Sequence, residues 1–256
     1  MIRNRLSRLM LPLAFLAASW AALANPPDVP VEIQIYDYHL KPPFLLDAEA
    51  GQGLDVDIAA WLNRKPGPFR FKVVYMPRNR LNAMIEAGHL DGLIIGVDTL
   101  WFHDTPEQAF LWSPPYMRDA DVVVSPRDRP VAYAGPDSLR GLRIGFPSGF
   151  YYFGISELAD RGLLAREDST TEESNLQKLE LGRIDATIVS RSTLDYLCRT
   201  HSGWARGFFV AREPEEAFQR RFLVPRSLPK VHAWLGKVLH GLEKDPQWRT
   251  VLGRYH

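Results

Sequence analysis

The sequence predicts an α/β protein of two lobes, each a β-sheet flanked by helices. Three observations lead there. Segments of strand period and helix period alternate from Val31 to Val97. The alternation resumes near Leu139, after a stretch rich in aromatics and proline. The 256 residues, 46% hydrophobic and 24% charged, form a globular composition long enough for two small lobes. A single doubly wound domain is the alternative at this point.

The first 24 residues stand apart. Arg3, Arg5 and Arg8 precede an apolar run from Leu9 to Leu23 that ends Ala22-Leu23-Ala24. Basic residues, a short apolar core and an A-x-A site predict a secretory signal peptide cut after Ala24. An uncleaved anchor is the competing reading, but the run holds about 15 residues against the roughly 20 needed to span, and Pro12 interrupts it. The expected address is the bacterial periplasm.

In the mature chain, Val31, Ile33 and Ile35 alternate with Glu32 and Gln34, a strand. The loop Tyr36 to Phe44 follows, kept out of helix by Pro42 and Pro43. Leu54, Ile58, Trp61 and Leu62 fall on one helical face, with Asp55 and Asp57 in the first turn. Phe69 to Tyr75 reads as a strand, Leu81, Met84 and Ile85 as a helix, and Asp91 to Val97 as a buried strand. This β-α-β-α-β order is a parallel-sheet pattern. Trp101, Phe102, Trp112 and Tyr116 lie in the connection. Ala120 to Ser125 and Leu142 to Phe146 read as strands. Helices are expected around Leu158, Leu176 and Leu194, and a strand over Ile184 to Val189. Strands over 207–211 and 221–224, a long helix over 228–242 and a last one opening at Pro246 complete the chain.

The segment Leu139 to Gly154 centres on Pro147-Ser148-Gly149, a small-residue turn between a strand and an expected helix start. Such a turn aims free backbone N–H groups at one spot and suits a polar or anionic ligand, although an ordinary βα turn has the same look. A net charge of +1 leaves no electrostatic footprint for nucleic acid. The single cysteine, Cys198, excludes an internal disulfide framework and a thiolate metal cluster, and reads as a small buried side chain.

Six motifs in order carry a family resemblance: Pro42-Pro43-Phe44, Gly53-Leu-Asp-Val-Asp-Ile58, Gly88-His-Leu-Asp91 after Arg80, Trp112-Ser-Pro-Pro-Tyr116, Leu139-Arg-Gly-Leu-Arg-Ile-Gly145 and Leu181-Gly-Arg-Ile-Asp-Ala186. Over the whole mature chain it resembles the bacterial extracellular solute-binding proteins of family 3, the polar-amino-acid type. The resemblance implies a hinged, two-lobed type II periplasmic-binding-protein fold that closes on a small solute and presents it to an ABC permease. It places lobe one at 25–116 plus 222–256 and lobe two at 117–221. It implies a monomer, with no cofactor, no metal and no catalytic residue.

The pocket departs from that family. Its amino-acid binders clamp the ligand carboxylate with an arginine after the third strand, yet Leu81 to Met117 contains no arginine or lysine. His103 lies near the vacant position. Ser190, followed by Arg191, stands where a carboxylate meets the ligand ammonium, and Phe150 and Tyr151 replace two hydroxyl residues. A ligand other than a free α-amino acid is therefore expected. The candidate binding residues are Tyr38, His39, Arg80, Asp98, Trp101, Tyr116, Ser148, Phe150, Tyr151, Ser190 and Arg191. Aromatic walls favour a flat organic solute, with Arg80 or Arg191 as the source of positive charge. A few dehydratases of cyclic acids share the fold. His39, Asp98 or His103 could supply an acid, but the cationic clamps such chemistry needs are absent, so a binder is expected, with a ligand-sensing or accessory periplasmic protein of the same fold as the alternative to transport.

Overall fold

The computed structural model describes residues 29–255, so the expected signal peptide lies outside the described residues. In chain order the elements are β1 (Val31–Asp37), α1 (Leu54–Asn63), β2 (Phe69–Tyr75), α2 (Arg78–Glu86), β3 (Leu93–Val97), β4 (Leu111–Trp112), β5 (Met117–Pro126), β6 (Arg143–Pro147), α3 (Ile155–Asp160), β7 (Ala165–Ser169), α4 (Glu172–Glu180), β8 (Ala186–Ser190), α5 (Arg191–Thr200), α6 (Trp204–Gly207), β9 (Phe208–Val210), β10 (Glu216–Val224), α7 (Pro229–Leu239) and α8 (Pro246–Gly253).

The strands hydrogen-bond in the order β2-β1-β3-β10-β5-β8-β6-β7, with β4 on β10 and β9 on β5. Within each half the β-α-β units are parallel: β1 runs with β2 and β3, and β6 with β7 and β8. The antiparallel strands β5 and β10 join the halves. β10 pairs with β5 from Glu216 to Arg220, then turns to β3 and β4 from Arg221 to Val224. One strand thus serves both sheets, the arrangement a hinge needs.

Each half has its own core. Leu54, Ile58, Trp61 and Leu62 of α1 pack with Ile33, Ile35, Phe222, Trp248 and Val251 in the first. Ile144, Phe146, Ile155, Ala186 and Ile188 form one side of the second, and Leu176, Leu179, Val189 and Leu194 the other. Gly53 is required where α1 begins. Its φ is 140°, and an added Cβ would stand 2.2 Å from the Phe44 carbonyl oxygen.

The observed elements depart from expectation in several places, among them the short strand β4 and the one-turn helix α6, neither of which was expected. β7 is the segment Ala-Arg-Glu-Asp-Ser, a polar edge strand without apolar alternation, and was not predicted. β10 begins five residues before the expected Arg221, in a segment whose charged Glu216, Arg220 and Arg221 hid its period. The long C-terminal helix stops at Leu239, because Gly241 takes up a left-handed conformation before a short 3₁₀ turn. α3 starts only at Ile155, so no helix N-terminus follows Ser148-Gly149.

Candidate functional site

The two halves meet at the loop that follows β1. His39 comes first, buried against Tyr38 (ring centroids 4.1 Å apart), Phe44 (5.7 Å) and Trp101 (6.4 Å). Burial depresses its pKa to about 4 against the pull of Asp37, so the imidazole is neutral at ordinary pH. Trp101 lies edge-on to Phe218 at 4.6 Å, and its indole N–H donates to Glu216 at 3.3 Å, both on the hinge strand β10. Arg78, at the start of α2, braces this wall. It donates to the Tyr38 hydroxyl and the Trp101 carbonyl, each at 2.9 Å, and its guanidinium lies over the rings of Tyr38 and Phe102.

From the same loop Lys41 crosses to the second half. Its ammonium donates to Glu172 Oε1 at 2.5 Å and to Ser190 Oγ at 2.6 Å, and sits 5.7 Å from the Phe150 ring centre. The Thr193 hydroxyl, on the first turn of α5, donates to the Pro42 carbonyl at 2.6 Å. Glu172 is buried and the Lys41 side chain is only 10% exposed, so the pair is largely shielded from solvent screening. Ser190 caps the end of β8, while Glu172 opens α4 behind the Thr171 N-cap.

Around this contact the second half offers acids. Burial lifts the pKa of Asp121 to about 7, partly offset by Lys41. Burial, then the charge of Asp121, lifts Glu215 to about 8, and Glu215 Oε2 has no hydrogen-bond partner. The Tyr152 hydroxyl is likewise buried and unpartnered, with Asp121, Glu172 and Glu215 among the charges acting on it. The sign of the linkage follows from the raised Glu215 value. The folded state holds this proton above the unfolded carboxylate pKa of about 4.3, so its stability contribution is complete below that pH and lost as pH rises toward 8. Glu215→Gln should therefore flatten the fall of the thermal midpoint between roughly pH 5 and pH 8; a fall of unchanged size would contradict the assignment.

Beneath the cleft floor lies a third cluster. Asp37 ends β1, His39 follows it, and Asp55 stands in the first turn of α1. One ligand atom from each lies within 4.8 Å of the others, and all three residues are buried. Burial, then the Asp37 charge, holds the Asp55 carboxyl well above the ordinary range.

The structure gathers Tyr38, His39, Trp101, Phe150 and Ser190 at the meeting of the halves, and distributes the other sequence candidates elsewhere. Asp98 sits at the hinge with its carboxylate committed to the backbone N–H groups of Leu100 and Gln219, both at 3.1 Å. Tyr116 is buried in the first core against Phe222 and Trp248. The Ser148 N–H and hydroxyl both donate to the Ser169 carbonyl, and the Phe150 N–H donates to Pro147, so the expected anion-binding turn has spent these donors. Tyr151 is 54% exposed and its hydroxyl turns to Glu157. Arg80 is exposed on α2, near Tyr36 and Asp91. Arg191 is half-buried and forms no ion pair among the described residues; its charge acts on Cys198, two turns along α5. His103 is an exposed residue in the left-handed conformation that ends the turn after Leu100.

Sequence reasoning passed over Lys41, Glu172, Asp121 and the buried pair Arg220–Asp119. Asp119 and Asp121 alternate at the start of the otherwise apolar strand β5, a period-two acidic signal that was there to be read. Lys41 and Glu172 are joined across 131 positions and carry no local signature.

A model of the bacterial extracellular solute-binding proteins, family 3, matches residues 35–256. The chain belongs to this family. Solved structures show the fold independently. An ancestral arginine-binding protein bound to arginine superposes with a TM-score of 0.68 at 16% identity, covering 88% of this chain and 97% of that one. The substrate-binding protein of an amino acid ABC transporter gives 0.63 at 18%, covering 88% and 98%. An ancestral amino-acid-binding protein described as a precursor of cyclohexadienyl dehydratase gives 0.65 at 14%, covering 88% and 95%. No curated protein matches the chain significantly. The family-3 fold of two hinged lobes is thus the one the motifs implied.

Proposed function

We propose that this family-3 protein is a periplasmic solute-binding protein. It is exported by its N-terminal signal peptide, closes as a monomer around a small organic solute and delivers that solute to an ABC-type permease. Lobe one comprises 25–116 plus 222–256 and lobe two 117–221, a division supported by the change of partner along β10 between Arg220 and Arg221. The protein is a binder, not an enzyme, and its partners are the solute and the permease, not nucleic acid.

The solute is not a free α-amino acid. One observation carries this reading: the Lys41 ammonium is seated between Glu172 and Ser190, across the cleft. A protein ammonium there takes the carboxylate that an incoming ammonium would need, and no arginine follows β3 to fork a carboxylate. Asp121 and Glu215 hold their protons up to about pH 7 and about pH 8, and they can ionise to meet a cation but offer an anion no counter-charge, so a neutral or cationic organic solute lying against Trp101 and Phe150 fits better. Native mass spectrometry of protein freshly released from the periplasm tests this. The expected adduct has a mass matching no standard amino acid; a bound glutamine, arginine or histidine would overturn the reading.

A further inference from the structure

We propose that Asp37, His39 and Asp55 form a buried site for one divalent first-row cation, for which zinc is the natural occupant. The donor set is one imidazole nitrogen and two carboxylates, which suits Zn²⁺ with a fourth position left for a hydroxyl or water. The spacing fits. Donor atoms around a tetrahedral zinc at about 2.0–2.2 Å stand roughly 3.3–3.6 Å apart. His39 Nδ1 and Asp37 Oδ1 are 3.4 Å apart, and one ligand atom from each of the three residues falls within 4.8 Å of the others.

The unpartnered atoms point the same way. Among the described residues, Asp37 Oδ2, His39 Nδ1 and both oxygens of Asp55 are buried and find no hydrogen-bond partner outside the cluster itself. The Tyr116 hydroxyl is a fifth such atom, and Asp55 is the strongest charge acting on it. Buried polar atoms are rarely left so, and their grouping on three neighbouring residues marks a missing ligand.

Charge balance makes that ligand a cation. Asp37 and Asp55 are both fully buried. Arg220 is nearby but spends Nε and Nη2 on Asp119 and Nη1 on the Gly96 carbonyl. Lys41 is committed to Glu172 and Ser190. Two carboxylates therefore share one dry site without a basic side chain of their own, a costly arrangement that a divalent cation resolves. The site shares His39 with the aromatic wall of the cleft, and its metal retention is measured without any solute.

The test uses tag-free mature protein incubated with Zn²⁺ or Co²⁺, desalted, and assayed for metal by mass spectrometry. The expected result is about one equivalent retained, a visible absorption band from tetrahedral cobalt, and a thermal midpoint that rises with Zn²⁺ and returns with chelator. Asp55→Asn and His39→Gln should each weaken retention at least about tenfold. Failure of the wild-type protein to retain either metal would overturn the site in favour of a proton shared by the two carboxylates. Equal retention by both folded variants would overturn it too. Should a variant not fold, the wild-type cobalt spectrum and the chelator-reversible midpoint decide, and their absence counts against the site.

Discussion

Arg220→Met should lower folding stability by about 3–5 kcal/mol in urea unfolding, the largest effect expected of any substitution at the hinge. Arg220 and Asp119 are each 1% exposed at the side chain and meet at 2.7 Å, and the arginine also ties β10 to β3 through the Gly96 carbonyl at 2.8 Å. Removing the guanidinium strands a buried carboxylate that keeps only Ser192 as a side-chain partner. Burial alone would raise the Asp119 pKa, but Arg220 and Ser192 outweigh it and hold the carboxyl below its ordinary value. The stability the pair contributes is therefore present above the unfolded carboxylate pKa of about 3.9 and lost as pH falls through the lower folded value. The double variant Asp119→Asn with Arg220→Met should recover much of the loss, since no uncompensated charge is left. A single variant within about 0.5 kcal/mol of wild type would show that the hinge does not depend on this pair.

Lys41→Met carries the second large effect, and it bears on function. Among the described residues the ammonium is the one ionic tie between the loop after β1 and the acids of the second half, so its loss leaves the buried Glu172 without a counter-charge. A cost near the lower end of about 3–5 kcal/mol is expected, because the lysine stem stays partly wet. Pairing it with Glu172→Gln should restore stability while leaving the lobes without their ionic tie at this loop. Small-angle scattering should then show the double variant more open than wild type, with solute binding altered. Equal radii of gyration for wild type and both variants would mean that Lys41 packs against Glu172 without governing closure.

Much of the fold could be read from the residues because its cores follow simple periods. The alternating Val31, Ile33 and Ile35, the 3.6-residue spacing of Leu54, Ile58, Trp61 and Leu62, and the glycine-bounded run to Val97 each mark an element that buries one face or both. What escaped was either very short, like β4 and α6, or polar. β7 is an edge strand with little apolar face to bury, and the first half of β10 carries the hinge charges Glu216 and Arg220. The missing arginine after β3 could also be read, since it is an absence in one short stretch.

The occupants of the cleft could not be read the same way. Lys41 meets Glu172, and Arg220 meets Asp119, only after the chain has folded across more than a hundred positions. Ser148 shows the converse. Its turn has the composition of an anion cradle, yet its N–H and hydroxyl were claimed by the Ser169 carbonyl of a strand that local sequence did not predict.

Titration calorimetry of ligand-free protein with each of the twenty standard amino acids tests most directly the claim that this cleft has given up the zwitterion. No amino acid is expected to bind more tightly than about 1 mM. A dissociation constant near about 1 μM for any of them would contradict it, because Lys41 would then have to vacate Glu172 and an unseen group would have to hold the carboxylate.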